Sequence, residues 1–312
     1  MKKKISVVIP TFNEEANIDF VYGEVVKMFA ENFPQYDYDI LFIDNHSTDR
    51  TRELIRALYD KDPEHVKAIF NARNFGQGRS HFYGLTHADG DCAILLHADL
   101  QNPISAVIEF IKKWEQGAKV VIGIYDNNME GFFLKTLRTL YYKIMHRISS
   151  VEQIEHFSDF ELLDKEFLQV LKGLHDPSPY LRGIISEFGF KMERVSYTKN
   201  LRKHGRTHAN FFTLYDFAMN GVTAYSKGLL RAISLFGMLS SAVSFLIAIG
   251  LVVEKLILWD SFQFGIAGIA VGLFLMFSLI TLFLGILGEY VLAINIRVLD
   301  RPLVIEECRL GF

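Results

Sequence analysis

Residues 92–103, CAILLHADLQNP, join a short apolar run to the start of an amphipathic segment. The run at 92–96 is short enough for a buried strand, and residues 104–115 have apolar side chains at helical spacing. His97 and Asp99 therefore stand where a strand of an open α/β sheet ends, at the edge where such sheets bind ligands. A carboxylate at a strand end is also a common helix cap or turn residue, so the motif alone leaves both interpretations open.

The same alternation of short apolar runs and amphipathic segments extends from residue 5 to about residue 124. Strands are predicted at 5–9, 40–43, 66–70, 92–96 and 119–124, and helices at 14–29, 49–59, 76–87 and 104–115. Such alternation predicts a mostly parallel α/β sheet with helices on both faces and right-handed crossovers. Functional side chains are then expected at the carboxyl ends of the strands.

Three further predicted strand ends are rich in polar groups. Thr11 or Asn13 could cap the next helix and leave backbone N–H groups facing an anion. Asp44 is a natural acceptor for an N–H group of a nucleotide base, and Ser47 or Asp49 could cap the helix that follows. The third end, RNFGQG at 73–78, allows tight turns, but its G-x-G is incomplete and no P-loop exists. A nicotinamide enzyme and a P-loop NTPase are therefore not supported.

Composition narrows the functional classes. The 33 basic and 36 acidic residues nearly balance, so nothing suggests a nucleic-acid partner. Two cysteines are too few for a disulfide framework, which fits a reducing compartment. The basic N-terminus precedes an apolar run that Pro10 breaks, so we interpret that run as a strand rather than a signal peptide.

The C-terminal third has the pattern of a membrane anchor. Residues 232–253 carry no charge and would span roughly 33 Å as a helix, enough for a hydrocarbon core of about 30 Å. Residues 261–288 form a second uncharged run, and the aromatic-rich segment 210–228 predicts an interfacial amphipathic helix. The expected domains are therefore 1–209, catalytic; 210–228, interfacial; and 229–312, a two-helix transmembrane hairpin with a tail.

Charges that flank the predicted hairpin set its orientation. Lys227, Arg231, Arg297 and Arg301 lie on one side, while the connection 254–260 has a single Lys, so the positive-inside bias places the catalytic domain in the cytoplasm. We therefore expect a multi-pass protein of the inner membrane. Glycines in the second run would allow close helix packing and a homo-oligomer. A basic amphipathic segment at 129–148 predicts a helix that either lies on the membrane surface or covers the sheet edge.

Four motifs in order over about a hundred residues resemble those of family 2 glycosyltransferases of the GT-A fold, which is Rossmann-like. They are SVVIPTFNEEANI, IDNHSTDRT, RNFGQG and HADLQNP, the last resembling the D-x-D-L-Q-D-P metal motif. The resemblance implies a nucleotide site and a metal–diphosphate site. The implied nucleotide-sugar residues are Pro10, Asn13, Glu14, Asp44, Asn74 and Gly76, and the implied metal and diphosphate residues are Asp99 and Gln101.

Departures from the family pattern change the expected chemistry. His97 and Asn102 stand where the family usually has acids. Imidazole suits Mn²⁺ better than Mg²⁺, so we hypothesise that His97 is a ligand and that Mn²⁺ is preferred; alternatively His97 only packs while Asp99 holds the ion. The family's Arg after the fifth strand is missing, and Lys135 or Arg138 is expected to replace its contact with the acceptor phosphate.

Later motifs complete the expected site. HFSDFELL at 156–163 resembles the family's G-D-F-R-L-M and implies that Asp159 is an active-site carboxylate, with Ser158 in place of Gly. LRKHGRT at 201–207 resembles its flexible basic loop, from which Arg202, Lys203 and Arg206 could fold over a diphosphate; such a run could equally be a solvated loop.

The tail resembles one subgroup, the polyisoprenyl-phosphate glycosyltransferases, through GEY at 288–290 and DRPL at 300–303. This subgroup includes relatives of dolichyl-phosphate mannose synthase with two C-terminal spans. The resemblance implies inverting transfer of a sugar from a nucleoside diphosphate, with UDP preferred, to a polyisoprenyl phosphate such as undecaprenyl phosphate. The alternatives are a different lipid-linked acceptor, a non-catalytic nucleotide-sugar or lipid-binding protein, and a processive polysaccharide synthase. The sequence has no Q-x-x-R-W motif to support the last of these.

Overall fold

The computed structural model describes residues 2–126, 154–200, 266–299 and 301–312, together with isolated positions between these ranges. The strands are β1 Lys4–Thr11, β2 Asp37–Asp44, β3 Val66–Asn71, β4 Cys92–Leu95, β5 Val120–Tyr125, β6 Phe157–Asp164, β7 Met192–Tyr197 and β8 Glu306–Leu310. The helices are α1 Ile18–Asn32, α2 Thr51–Lys61, α3 Gln77–His87, α4 Ile104–Glu115, α5 Lys165–Lys172, α6 Leu181–Glu187 and α7 Ile266–Val298. The predicted α/β alternation over residues 5–124 is confirmed.

All eight strands join one mixed sheet in the order β7-β5-β6-β4-β1-β2-β3-β8. The pairs β1–β2, β2–β3, β1–β4 and β5–β7 are parallel, while β6 and β8 run antiparallel to their neighbours. The chain builds outward from β1 to β2 and β3 on one side, then crosses to β4 on the other. This reversal creates a crevice at the carboxyl ends of β1 and β4, where open α/β sheets bind ligands.

Helices cover both faces of the sheet. Apolar side chains of α1, α2 and α4 pack on one face, and those of α3, α5 and α6 pack on the other. Along β1, Val7 and Ile9 enter the first cluster while Val8 enters the second. The central strands therefore have continuous apolar runs, because each of their faces is buried. That burial is why local sequence pattern predicts them.

The position of β6 was not predicted and has a direct consequence for the site. This strand lies between β4 and β5, and Leu95 pairs with Glu161 in the antiparallel ladder with β4. Because the two strands run in opposite directions, the first residues of β6 lie beside the residues that follow β4. The beginning of β6 therefore lies at the same sheet edge as the carboxyl end of β4.

Helix α7 is 33 residues long, about 50 Å at 1.5 Å per residue. Within the described ranges it is the single helix long and apolar enough to cross a membrane, with a mean hydropathy of 2.0 over Leu279–Val298 and none of that stretch buried. The helix continues ten residues past the end of the predicted run at 288, because the isolated Glu289 does not stop it. The first predicted span, 232–253, lies outside the described residues apart from isolated positions. The interfacial segment 210–228 lies wholly outside them.

The tail returns to the catalytic sheet after α7. β8 pairs antiparallel with β3, so residues assigned to the membrane region and its tail contribute a strand to the sheet. In addition, Arg297 near the end of α7 lies 3.6 Å from the Asp176 carboxylate in the segment after α5. The C-terminal end of this helix therefore lies beside the domain that carries the candidate site.

Candidate active site

The loops after β1, β2 and β3 contact one another through side chain–backbone hydrogen bonds. The Asn13 amide N–H donates to Ser47 Oγ at 2.9 Å, and Asn13 Oδ1 accepts from Thr48 N at 2.8 Å. Asn45 Nδ2 donates to Asn74 Oδ1 at 2.8 Å, and the same oxygen accepts from Gly76 N at 2.9 Å. The structure thus brings together strand ends that lie up to 63 positions apart (76 − 13) along the chain.

These bonds replace the helix caps expected from the sequence. Asn13 binds the loop after β2 rather than α1, whose preceding residue, Asn17, makes no side-chain cap. Asp49 accepts from Thr51 N at 3.0 Å, but the residue before α2 is Arg50, which has no side-chain cap either. Asn13 and Ser47 therefore join loops, and the predicted caps at Thr11, Asn13 and Ser47 are wrong. The prediction for Asp49 is confirmed, because its carboxylate accepts from the first backbone N–H of α2.

Two more of the predicted nucleotide residues have defined places at this edge. Pro10 lies within β1, paired with Ile43 of β2. Glu14 follows the β1 loop, where its N–H donates to Thr51 Oγ1 at 2.9 Å and its carboxylate accepts from Asn17 Nδ2 at 2.6 Å. Both residues border the crevice, and their contact with a nucleotide stays a prediction.

Asp44 is completely buried at the end of β2. Its carboxylate accepts from Ser47 N at 3.0 Å, from the Ser47 hydroxyl and from Thr11 Oγ1 at 3.4 Å, and it lies 3.3 Å from Arg52 Nε. Burial raises the pKa of Asp44, while the Ser47 hydrogen bonds and Arg52 oppose that rise. In this arrangement Asp44 anchors the loop after β2, and its direct contact with a base stays a prediction.

The loop after β4 carries the residues expected at the metal and diphosphate. Asp99 is half-buried, and its Oδ1 accepts from Gln101 N at 3.2 Å. Leu100 has a φ of 48°, a left-handed conformation that a leucine rarely adopts. Asn200 holds this turn, donating from its backbone to Gln101 O at 2.9 Å and from its side chain to Leu100 O at 3.1 Å.

His97 is enclosed by polar and aromatic neighbours. Its Nδ1 lies 3.4 Å from Asn102 Nδ2, and the buried Asn102 accepts from the Tyr197 hydroxyl at 3.0 Å. The His81 ring packs against the His97 ring at a centroid distance of 5.7 Å, and His97 Nε2 is buried. Asn102, which replaces a family acid, therefore orients His97 through its contact with Nδ1. These contacts fit the packing alternative, and a ligand role for His97 stays a prediction.

The side chains around Asp99 offer few ligands for a divalent cation. Nowhere in the described part of the chain do three or more His, Cys, Asp or Glu side chains form a metal cluster. Asp99 nevertheless supplies a partly accessible carboxylate at the crevice. Mg²⁺-type ions are commonly held by one or two carboxylates plus substrate phosphates. The residues therefore fit an ion that is shared with a diphosphate rather than a cage made only of protein.

Asp159 enters the site from the beginning of β6. Arg182 Nε of α6 donates to its Oδ1 at 2.9 Å, and the two side chains are only 14% and 19% exposed. Burial alone would raise the pKa of Asp159, but the Arg182 guanidinium outweighs it and the pKa lies below its usual value. Asp159 is therefore an ionised carboxylate at the edge of the sheet where β4 ends.

Two buried titratable side chains near Asp159 and Arg182, His81 and Glu161, were not predicted from the sequence. Burial lowers the pKa of His81 to about 3, so its imidazole is neutral. Glu161 is fully buried in the middle of the sheet, and burial followed by the Asp159 charge raises its pKa well above the usual value. The one available signal for Glu161 was its place as a carboxylate within the apolar run at 160–163.

Backbone strain is concentrated around the same crevice. Among the described residues, the non-glycine positions with positive φ are Asn13, His46, Leu100, His156 and Asp159. They follow β1, β2 and β4 or lie at the beginning of β6. Residues in such conformations persist where their surroundings hold them, and they cluster at functional sites. This distribution favours the crevice as the candidate functional part of the sheet.

The predicted phosphate-binding cations lie outside the described residues. They are Lys135 and Arg138 for the acceptor, and Arg202, Lys203 and Arg206 for the diphosphate. Lys199, which sequence analysis did not single out, places its Nζ 3.8 Å from the centroid of the Tyr125 ring at the ends of β5 and β7.

Comparisons with known proteins identify the family of this chain. The family model described as glycosyl transferase family 2 matches residues 6–189. The SfII prophage-derived bactoprenol glucosyl transferase of Shigella flexneri is 33% identical over 300 residues, 96% of each chain. The prophage bactoprenol glucosyl transferase homolog of Escherichia coli K12 is 31% identical over 96% of this chain and 97% of its own. A solved glucosyl-3-phosphoglycerate synthase from Mycobacterium tuberculosis is 17% identical, with a TM-score of 0.46 over 71% of this chain and 79% of that one. The match of the family model over more than half of the chain and the full-length relatives show that this protein belongs to glycosyl transferase family 2.

Proposed function

We propose that this protein transfers a sugar from a nucleoside diphosphate, preferably UDP, to a polyisoprenyl phosphate in the cytoplasmic membrane. The observation that carries the proposal is that Asp99 and the ionised Asp159 flank one crevice of a sheet to which the apolar helix α7 is joined through β8. The full-length relatives named bactoprenol glucosyl transferases support the same activity, because their similarity includes the C-terminal region as well as the catalytic sheet.

The acceptor needs no strong general base. A phosphate monoester has a second pKa near 6 and is largely dianionic at neutral pH. Asp159 is a poor base because its pKa is lowered and its carboxylate is paired with Arg182. Its role in the proposed reaction is to orient the reacting groups and to hold Arg182 in place. Attack of the phosphate oxygen on the anomeric carbon would then invert the configuration in one displacement, as the family resemblance implies.

Departure of the nucleoside diphosphate requires compensation of its negative charge. A divalent cation bound with the diphosphate supplies that compensation as a Lewis acid. Asp99 would hold such an ion, Gln101 borders it, and the predicted basic residues Arg202 and Arg206 would bind the phosphates. If His97 is a ligand, Mn²⁺ is the preferred ion. If His97 only packs against His81 and Asn102, no preference for Mn²⁺ is expected.

The proposed orientation places the catalytic sheet in the cytoplasm. Its support is the excess of basic residues at the ends of the predicted hairpin and the return of the chain from α7 into β8. A lipid whose phosphate lies at the membrane surface would then meet the sheet edge directly. An oligomer formed through the glycines of α7 is part of the same hypothesis.

Sugar transfer by the purified full chain tests the proposal. The protein in detergent is incubated with undecaprenyl phosphate, radiolabelled UDP- or GDP-sugars, and Mn²⁺ or Mg²⁺, and the lipid fraction is counted. We expect labelled lipid from at least one donor and a loss of about 100-fold or more in Asp99→Ala, as for removal of key electrostatic groups in other enzymes. Asp60→Ala, at an exposed position of α2, is the matched control and should keep full activity.

The rival functions give different results in that assay. No labelled lipid from any donor, together with measurable binding of nucleotide or lipid, would favour the non-catalytic binding protein. Label transferred only when a different lipid-linked acceptor replaces undecaprenyl phosphate would keep the enzyme and change its substrate. Full activity in Asp99→Ala would contradict the proposed metal and diphosphate site.

A further inference from the structure

The last strand contacts the first turn of α2 as well as the sheet edge. Glu307 lies in β8, at an irregularity in the ladder between β3 and β8. Its Oε2 accepts from Arg52 Nη2 at 2.8 Å. These two residues are 255 positions apart in the sequence, and helix α7 lies between them. The tail therefore supplies a charged contact that no local pattern predicts.

Arg52 lies between two carboxylates. Its Nη2 binds Glu307, while its Nε is 3.3 Å from Asp44 Oδ2. The guanidinium also lies over the Phe70 ring at 5.1 Å from the centroid. Its side chain is 20% exposed, whereas that of Asp44 is completely buried. Among the described residues Arg52 is the cation paired with Asp44, so the position of Arg52 controls the charge balance at the end of β2.

Asp44 in turn holds the loops that border the crevice. Its carboxylate accepts from the backbone and hydroxyl of Ser47, and Ser47 Oγ accepts from Asn13 N. Asn13 completes the link through its bond to Thr48 N. A continuous path of polar contacts therefore runs from Glu307 through Arg52, Asp44 and Ser47 to the loop after β1.

We propose that Arg52 and Glu307 are a positioning pair for the donor nucleotide, so that the strand following the membrane helix is a working part of the donor site. This inference rests on the proposed function in taking the ligand to be a nucleoside diphosphate sugar. Neither residue needs to touch the ligand. Glu307 binds one end of the planar Arg52 group and so fixes its Nε 3.3 Å from Asp44 Oδ2, where the two charges form an ion pair. Asp44 in turn keeps the loops after β1 and β2 in place.

The neighbouring residue on the same strand provides a matched control. Glu306 accepts from the Tyr83 hydroxyl at 2.8 Å and from Arg309 at 2.7 Å, and it has no described contact with Arg52. Glu306→Gln and Glu307→Gln therefore remove equivalent carboxylates from β8. Any general effect on the stability of the strand should appear in both variants, whereas an effect through Arg52 should appear only in the second.

The test measures steady-state kinetics and nucleotide binding with the full chain in detergent. In Glu307→Gln we expect the KM for the nucleotide sugar and the Kd for UDP to rise about 3- to 10-fold, with kcat and the KM for the lipid within about 2-fold of wild type. Unchanged kcat with raised KM is the signature of lost uniform binding. Glu306→Gln should match wild type in each of these constants.

A second variant tests whether the pair acts as one unit. Lysine carries a single point charge and cannot bridge two carboxylates as the arginine fork does, so Arg52→Lys should raise the KM for the nucleotide sugar to a similar extent. The double variant Arg52→Lys/Glu307→Gln should then be little worse than either single variant, because residues in one network are not additive. Glu307→Asp should recover part of the wild-type KM.

Failure of this inference can be separated from failure of the proposed function. If wild type transfers sugar and Glu307→Gln has the same KM and Kd as Glu306→Gln, the positioning pair is refuted and the function stands. If wild type binds UDP, Glu307→Gln weakens that binding, and no lipid product forms, the pair stands and the function fails. The proposed role of the pair would also be refuted if Glu307→Gln lowered kcat and raised both KM values by equal factors. Absence of UDP binding by the wild type would refute it as well.

Discussion

Replacing Asp159 by Asn should destabilise the protein and stop catalysis for two separable reasons. The substitution removes the charge that pairs with Arg182 at 2.9 Å, while the size of the side chain is preserved. Arg182, a largely buried cation, then loses the carboxylate charge that lies 2.9 Å from its Nε. Activity should also fall by about 100-fold or more, because the carboxylate at the crevice is lost.

The size of the stability effect follows from the burial of the pair. Breaking a buried ion pair by removing one partner typically costs about 3–5 kcal/mol. We expect the lower end, about 3 kcal/mol, because the side chains keep 14% and 19% exposure and the Asn oxygen can still accept from Arg182 Nε. For a domain of about 200 residues each kcal/mol lowers Tm by roughly 2–4 °C, so the expected shift is about 6–12 °C.

A double-mutant cycle separates the pair from the single residues. Arg182→Met removes the cation and fills its place with an apolar chain, so Asp159→Asn/Arg182→Met should be more stable than the sum of the single losses by about 2 kcal/mol. Thermal unfolding of the full chain in detergent gives the three Tm values, and lipid labelling gives the activities. The double variant should regain stability without regaining transfer.

The pH dependence gives a further check on the same pair. The folded pKa of Asp159 is lowered, so the pair stabilises the protein above the unfolded pKa, near 3.9, and this contribution disappears as pH falls through the folded pKa. The difference in Tm between wild type and Asp159→Asn should therefore shrink below about pH 4. Additive Tm shifts in the cycle, or an active double variant, would refute the reasoning.

Three other substitutions follow from buried contacts. Glu161→Leu should stabilise the protein by about 1–3 kcal/mol at pH 7 because it removes a buried carboxyl. Since the pKa of Glu161 is raised in the folded state, the gain in Tm should be smaller near pH 4. An equal gain in Tm at the two pH values would contradict this prediction. Tyr197→Phe should cost about 1–2 kcal/mol because Asn102 Oδ1 loses its 3.0 Å donor; an unchanged Tm and transfer rate would show that this bond does not hold the site. Gly123→Ala places a Cβ about 2.5 Å from Phe160 Cδ1 and 2.9 Å from Tyr197 Cε1, so Tm should fall by the equivalent of about 1–3 kcal/mol. Gly117→Ala is the control that separates crowding from backbone strain, because a Cβ at Gly117 has open space while its φ is 91°.

Elements with local sequence signals could be predicted before the fold was known. The central strands are buried on both faces, and their apolar runs therefore predict β1 to β5 directly. Helix α4 was predicted with the bounds that it has in the structure, because its apolar spacing is regular and Pro103 precedes it. The motifs after these strands predicted where the crevice would lie, since parallel strands end at one edge.

The distant residues that support this crevice follow from how the strands and helices pack, and not from any local pattern. The pairing of β6 between β4 and β5 sets Asp159 beside His97, and neither strand encodes its partner in its own pattern. The same is true of Arg182 with Asp159, of Asn102 with Tyr197, and of Glu307 with Arg52. Periodicity reports burial within one segment, whereas these contacts depend on which segments pack together. Which segments pack together depends on the free energy of the whole sheet with its helices, and no single segment carries that information.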